Sequence, residues 1–420
     1  MGLKPGYKQT EVGMIPEEWE LYDFDALGRV IDGDRGTQYP NSEDFSNDGH
    51  CLFLNAGNVT KEGFRFGECA FITREKDARL NKGKLKRNDI VLTTRGTVGN
   101  LAYFDAAVPF ESMRINSGMV ILRNASSSLD TTFLYALLQS RLVQMQIERL
   151  SFGSAQPQLT VRGISKFGIV VPPLSEQRAI AGVLGDVDAL LLALEKLIAK
   201  KRDLKQAAMQ QLLTGIKRLP GFTGQWEVKT IKEVVVIPVT DGPHLTPEFL
   251  SDGIPFLSVN NLIGNKIDLN DLRFISRGDH ELFSRKCRPE RNDLLLGKAA
   301  SVGKVALVDF DVEFNIWSPI ALIRLNSQYS PKFFYHCFQS ANVIRQITLF
   351  TNSSSQGNLG MGDIEKLEFP VPPLAEQTAI TAVLSDMDAE IVALEQRRDK
   401  TRALKQGMMQ ELLTGKTRLI

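Results

Sequence analysis

Residues 172–219 and 372–419 match at more than half of their positions, without a gap, at a constant offset of 200. A repeat of that length and spacing requires two copies of one folding unit rather than a single core. The two stretches open as PPLSEQRAI and PPLAEQTAI, where the prolines and an early acid, Glu176 or Glu376, suit the first turn of a helix. Both close in LLTG, where Gly215 or Gly415 suits a left-handed cap. Between those ends apolar residues recur every seven positions. Ile180, Val187, Leu194 and Ala208 form one row and Val183, Leu190, Leu197 and Leu204 the adjacent one; Ile380, Met387, Leu394 and Met408, with Val383 and Leu404, do so in the second copy. A helix of about 40 residues rises about 60 Å, longer than one small domain needs. The spacing predicts a coiled-coil seam rather than two amphipathic helices on separate cores. Glu390, Arg397 and Arg398 stand where the first copy has Leu190, Leu197 and Ile198, so the first helix has more apolar surface and suits docking of another subunit.

The repeat continues upstream in weaker form. RNDIVLTTRGTVGNLAYFD (87–105) matches RNDLLLGKAASVGKVALVD (291–309), FLYALLQS matches FFYHCFQS, and IPEEWE has a counterpart in FTGQWE. Each unit is therefore a globular domain of about 150 residues, an ordinary domain size, followed by a long helix. Short β-rich runs such as HCLFLNAGNV and GMVILR alternate with Gly, Asn and Asp turns, and TTFLYALLQSRLVQMQIERL reads as helix. These predict an α/β or α+β domain.

The balance of 43% hydrophobic and 24% charged residues is that of a folded globular chain. No apolar run is long enough to span a membrane, the first twenty residues lack a signal core, and the expected address is the cytoplasm. Cys51, Cys69, Cys287 and Cys337 stand singly, which predicts reduced thiols and no zinc ribbon. A net charge of +1 excludes a polybasic coat but not a local basic face.

PPL(S/A)EQ, the helix ending KQ(A/G)(A/M)MQ(Q/E)LLTG, and the preceding SAQPQL and SSSQGNL segments resemble the specificity subunit of type I restriction-modification systems, the HsdS family. The resemblance spans essentially the whole chain. It implies two tandem target-recognition domains, residues 1–171 and 219–371. These are separated by long helices over residues 172–218 and 372–420, which pair as an antiparallel coiled coil with a pseudo-twofold internal repeat. It further implies a non-catalytic subunit that reads a split, asymmetric duplex DNA target. Two modification subunits dock on it and methylate adenine using S-adenosylmethionine, a cofactor this chain does not itself bind, and a restriction subunit can join. The docking residues so implied are Glu176, Gln177, Glu376, Gln377, Leu190, Leu197 and Ile198. Ala375 and Thr378 replace Ser175 and Arg178 in the second copy, which sets apart the two helix starts.

Reading duplex DNA requires cations for phosphates and polar side chains for base edges. Residues 73–87 hold seven basic against two acidic residues, and residues 273–291 hold six against three, just ahead of the matched RND segments. Arg74, Lys76, Arg79, Arg273 and Arg277 are the candidates there, since a guanidinium can grip phosphate or guanine through two parallel hydrogen bonds. Arg95 sits on a Gly-flanked turn whose counterpart region offers Lys298. Ser154, Gln156, Asn352, Ser353 and Gln356 supply hydroxyls and amides, and Arg35, Gln38 and His244 lie on Gly- and Pro-rich loops at one relative place. Signatures of nucleotide binding, adenine methylation, metalloprotease and nuclease chemistry are absent from the sequence. A binding and scaffolding protein is favoured; the competing reading is a coiled-coil scaffold whose α/β domains bind peptide or carbohydrate.

Overall fold

A computed structural model describes residues 5–151, 158–352 and 357–419. The chain divides into two compact units, Met1–Leu194 with Arg397–Ile420, and Glu195–Gln396. In the first unit the strands Leu101–Tyr103, Ile90–Thr93, Met119–Asn124 and Gly28–Asp32 form, in that order, an antiparallel sheet. Side chains alternate across a sheet, and both faces here are covered. Ile90, Leu92, Val120 and Leu122 join Phe133, Leu134 and Leu137 of the helix Thr131–Leu138 in one core. Val91, Met119 and Ile121 turn the other way, toward Leu52, Leu54, Met113 and Ile115. Those last four belong to a three-stranded sheet in which Met113–Ile115 runs parallel to Cys51–Leu54. Burial on both faces explains why these strands read as continuous apolar runs and not as alternating ones.

The second unit repeats the plan. Its sheet order is Thr240–Asp241, Ile320–Ile323, Leu294–Gly297, Val305–Leu307, and Asn315–Ile316 runs parallel to Ile254–Leu257 in the smaller sheet. Leu294, Leu296 and Ile323 face the helix Pro331–Phe338, while Leu295, Ile320 and Leu322 face Leu257 and Ile316. The four cysteines are free thiols, and Cys51, Cys287 and Cys337 are buried.

Each long helix has 39 residues, Leu174–Leu212 and Leu374–Leu412. Gly215 and Gly415 follow them at φ +73° and +67°, the left-handed conformation glycine adopts without strain. Each unit contains the opening half of one helix and the closing half of the other. Within the first unit Asp188 pairs with Lys405 at 2.6 Å and Glu176 with Arg418 at 2.6 Å; residue numbers rise on one helix as they fall on the other, so the packing is antiparallel. Within the second unit Lys201 pairs with Glu390 at 2.6 Å and Lys205 with Asp388 at 2.5 Å in the same sense.

The seam differs from the expected one in half of its positions. Ile180, Leu194 and Ile380 are buried as predicted, but their partner row is Leu184, Ile198, Leu384 and Ile391. Val183, Leu190, Leu197 and Leu204, expected in the seam, are exposed, as are Val383 and Leu404. Rows three and four residues along flank a heptad position on opposite sides, and the partner helix lies on the side four residues along.

Candidate nucleic-acid interface

In the first unit the strand Gly28–Asp32 feeds the loop 33–39. A Cβ on Gly33 would stand 2.2 Å from the Asn116 carbonyl oxygen, so glycine alone lets the loop root close on the turn at 116–118. Asp34 is buried and accepts the backbone N–H groups of Gly36 and Asn81 at 2.7 Å and of Lys82 at 3.3 Å. Those bonds, the one from Gly36 foremost, hold its carboxyl below the usual carboxylate range despite burial. They also tie the loop to the segment that follows the helix Arg74–Arg79.

Arg35 donates to Asp32 at 3.2 Å and to the Ser117 carbonyl at 3.3 Å. From the other side the backbone N–H of Arg95 donates to the Gly118 carbonyl at 3.3 Å. The Arg95 guanidinium lies 3.1 and 2.9 Å from the Gln158 side-chain oxygen in the amide orientation that satisfies both groups. Two arginines 60 residues apart in sequence thus flank one turn, with Gln38 exposed on the same loop. Arg74 and Arg79 lie on the exposed face of their helix. Among the described residues no carboxylate pairs with Arg74, Arg79 or Arg95, whereas Lys76 is held by Asp44 at 2.8 Å.

The second unit builds the same frame with different charge. A Cβ on Gly242 would stand 1.7 Å from the Ile316 carbonyl oxygen, the counterpart of the Gly33 approach. Before it, Asp241 is fully buried and draws in Lys286 at 2.5 Å, Lys298 at 3.1 Å and His244 at 3.5 Å. Burial alone would raise this carboxyl, but the hydrogen bond from Lys286 and the nearby charge of Lys298 outweigh it and hold the group lowered. Arg277 and Arg288 meet Glu313 at 2.8 and 3.3 Å, and Arg273 lies 4.8 Å above the Phe249 ring. Sequence reasoning missed Asp241 and Lys286, although the paired Asp-Gly at 32–33 and 241–242 is visible in the repeat.

The two basic segments become helices at matching places, Arg74–Arg79 capped by Thr73 and Arg277–Ser284 capped by Ser276. Their buried contacts to the sheet have been exchanged as a pair. Asp77 binds Arg114 at 2.5 Å in the first unit, where His280 and Asn315 approach to 2.7 Å in the second. A carboxylate–guanidinium pair has become an imidazole–amide pair, and the two partners change together. Ser154, Gln156, Ser353 and Gln356 lie outside the described residues, as does the side chain of Asn352, whose backbone ends the helix Ala341–Asn352.

At the helix starts Glu176, Gln177, Glu376 and Gln377, expected to dock partner subunits, are buried and engaged within their own units. Glu176 accepts Trp19 Nε1 at 3.1 Å and the Arg418 guanidinium at 2.6 and 2.8 Å. Glu376 accepts Trp226 Nε1 at 3.1 Å and Arg218 at 2.5 and 2.6 Å. Gln177 and Gln377 accept the backbone N–H of Asp130 and Ser330, fixing the long helix against the N-cap of a domain helix. Ile198 is buried in the seam, while Leu190 and Leu197 remain exposed.

A unit that pairs an α/β domain, its central sheet covered by a helix on one face and a smaller sheet on the other, with half of an antiparallel helix pair, repeated with changed loop chemistry, defines a bipartite recognition scaffold. The family model for the type I restriction modification DNA specificity domain matches residues 16–206 and 223–402. Among relatives, a putative type I restriction enzyme MjaX specificity subunit of Methanocaldococcus jannaschii is 23% identical, covering 98% of this chain and 97% of that one. The type I restriction enzyme EcoKI specificity subunit of Escherichia coli is also 23% identical, over 96% and 89%. A crystal structure of the S subunit of a type I restriction-modification system from M. genitalium superposes with a TM-score of 0.60 at 17% identity, covering 98% of both chains. The chain belongs to the type I restriction modification DNA specificity family. It is a DNA sequence-specificity subunit and not itself an enzyme.

Proposed function

We propose that each unit reads one half of a split duplex target through the exposed loops described above. In the first unit these are the loop 33–39, the turn 116–118 and the helix Arg74–Arg79; in the second they are the loop 242–249, the turn 317–319 and the helix Arg277–Ser284. Residues 1–171 and 219–371 act as the recognition domains, and residues 172–218 and 372–420 as the spacer that sets their separation. The observation that carries this reading is one loop frame built twice with different side chains at its tips, as unequal half-sites require. Arg35, Gln38, Arg74, Arg79 and Arg95 contact DNA from the first unit, and His244 and Arg273 from the second, where Arg277 is taken up by Glu313. Lys76 and Lys298 support the loops through Asp44 and Asp241.

The exposed row with Leu190 and Leu197 docks modification subunits, which carry out S-adenosylmethionine-dependent methylation of adenine; this chain binds no cofactor, and a restriction subunit joins the same assembly. Among the described residues no helix is long and apolar enough to cross a membrane, and the complex works in the cytoplasm, on DNA. Expressing the chain with cognate modification subunits and mapping methylated adenines tests the proposal. A bipartite motif is expected, one half of which changes when residues 20–171 are exchanged; a motif without a gap, or one indifferent to that exchange, refutes it.

A further inference from the structure

The loop 242–249 carries a leucine where its counterpart, aligned on Gly33 and Gly242, has Gly36 and so no side chain. Leu245 is 71% exposed, yet the loop bearing it is braced at both ends. At one end Gly242 is wedged against the Ile316 backbone and the Pro243 carbonyl accepts Ser318 N–H at 3.3 Å. At the other, Phe249 packs with its ring 6.0 Å from that of Phe256 and 6.3 Å from that of Trp317, and Leu250 N–H donates to Phe274 at 2.9 Å. Pro243 and Pro247 fix their own φ within it. Leucine is thus held outward by a restrained backbone.

Four neighbouring cations are engaged away from that tip, leaving His244, Thr246 and Glu248 as the exposed polar side chains on the loop itself. Lys286 and Lys298 are drawn to the buried Asp241, and Arg277 and Arg288 to Glu313. In the first unit the same loop presents Arg35 and Gln38, and the facing turn reads Asn116-Ser117-Gly118 against Trp317-Ser318-Pro319 here. The first tip offers only hydrogen-bonding side chains; the second sets an exposed isobutyl group between His244 and Thr246. In the major groove, thymine is the base that displays an apolar group, its C5 methyl.

We propose that Leu245 is a specificity-determining residue that reads the second unit's half-site by contact with a thymine C5 methyl group, in contrast to the hydrogen-bonded readout of the first unit. This rests on the DNA-reading role argued above.

The test uses the full chain assembled with its modification subunits and the duplex target found by methylation mapping. Each thymine of that target is replaced singly by deoxyuridine, which removes only the methyl. The expected result is one thymine position, or two adjacent ones, at which deoxyuridine slows methylation about fourfold, the worth of one buried methyl-sized group. Leu245→Ala should slow the all-thymine duplex by a similar factor and lose the deoxyuridine effect at that position. Arg35→Ala and Arg95→Ala should keep it. Absence of any deoxyuridine-sensitive position, or an equal effect in wild type and Leu245→Ala, overturns the inference while leaving DNA reading intact. A complex that methylates no duplex at all overturns DNA reading, and the inference with it.

Discussion

His336 occupies the helix position that Ala136 fills in the first unit, and it is almost fully buried. Burial, and then the nearby Lys205 and Lys332 opposed by Asp388, push its imidazole down to about 4. The folded unit therefore binds the neutral ring, whereas the unfolded chain takes up a proton near pH 6.5. Its contribution is complete above about pH 6.5 and declines as pH falls from there toward 4, by on the order of 3 kcal/mol in all. Urea unfolding followed from pH 7.5 to 4.5 should show that loss, and His336→Ala should flatten it even if it lowers stability at neutral pH. The same residue scale marks the limit of sequence reading at the helix starts. PPLSEQ and PPLAEQ are legible as helix beginnings, but the burial of their glutamates is not. Their partners, Trp19 and Arg418 for Glu176, lie 157 and 242 positions away, beyond any local pattern.

At the scale of the element, the two long helices are legible as to existence and start because a seven-residue period survives 200 residues apart, while their ends, expected at 218 and 420, fall at Leu212 and Leu412. Which side of each helix faces inward is not legible, since rows three and four positions along carry similar apolar residues. Leu197 and Ile198 are neighbours in sequence on opposite sides of that decision, at 39% and 2% exposure. Ile198→Asp should lower stability by about 3 kcal/mol or more, because it buries an unpaired charge. Leu197→Asp should change stability by about 0.5 kcal/mol or less and instead reduce co-purification of the modification subunit. Chemical denaturation of the chain and pull-down of the assembled complex separate the two effects. The strands were legible as apolar runs, while their order was not: the parallel pairing of Met113–Ile115 with Cys51–Leu54 joins segments about 60 residues apart.

Across the whole molecule, a net charge of +1 conceals basic segments that are paired unequally in the two units. Arg74, Arg79 and Arg95 have no carboxylate partner among the described residues, whereas Arg277 already faces Glu313 and Lys286 and Lys298 face Asp241. Replacing any one of the first three by alanine should reduce the salt slope of duplex binding by about one, because a phosphate contact releases about one counterion. Arg277→Ala should leave that slope nearly unchanged; titrating complex formation against ionic strength distinguishes them. Counting charges along the sequence could find both basic segments but not this difference, which depends on acids brought in by the fold from 36 to 57 positions away. The division of the chain also bears on its synthesis. Residues 195–396 are contiguous and complete their unit as soon as they emerge, but the first unit needs Arg418 to reach Glu176 at 2.6 Å. The domain translated first is therefore finished second: a chain that stops at residue 396 keeps the bond from Trp19 to Glu176 but lacks the Arg418 guanidinium that meets the carboxylate's charge.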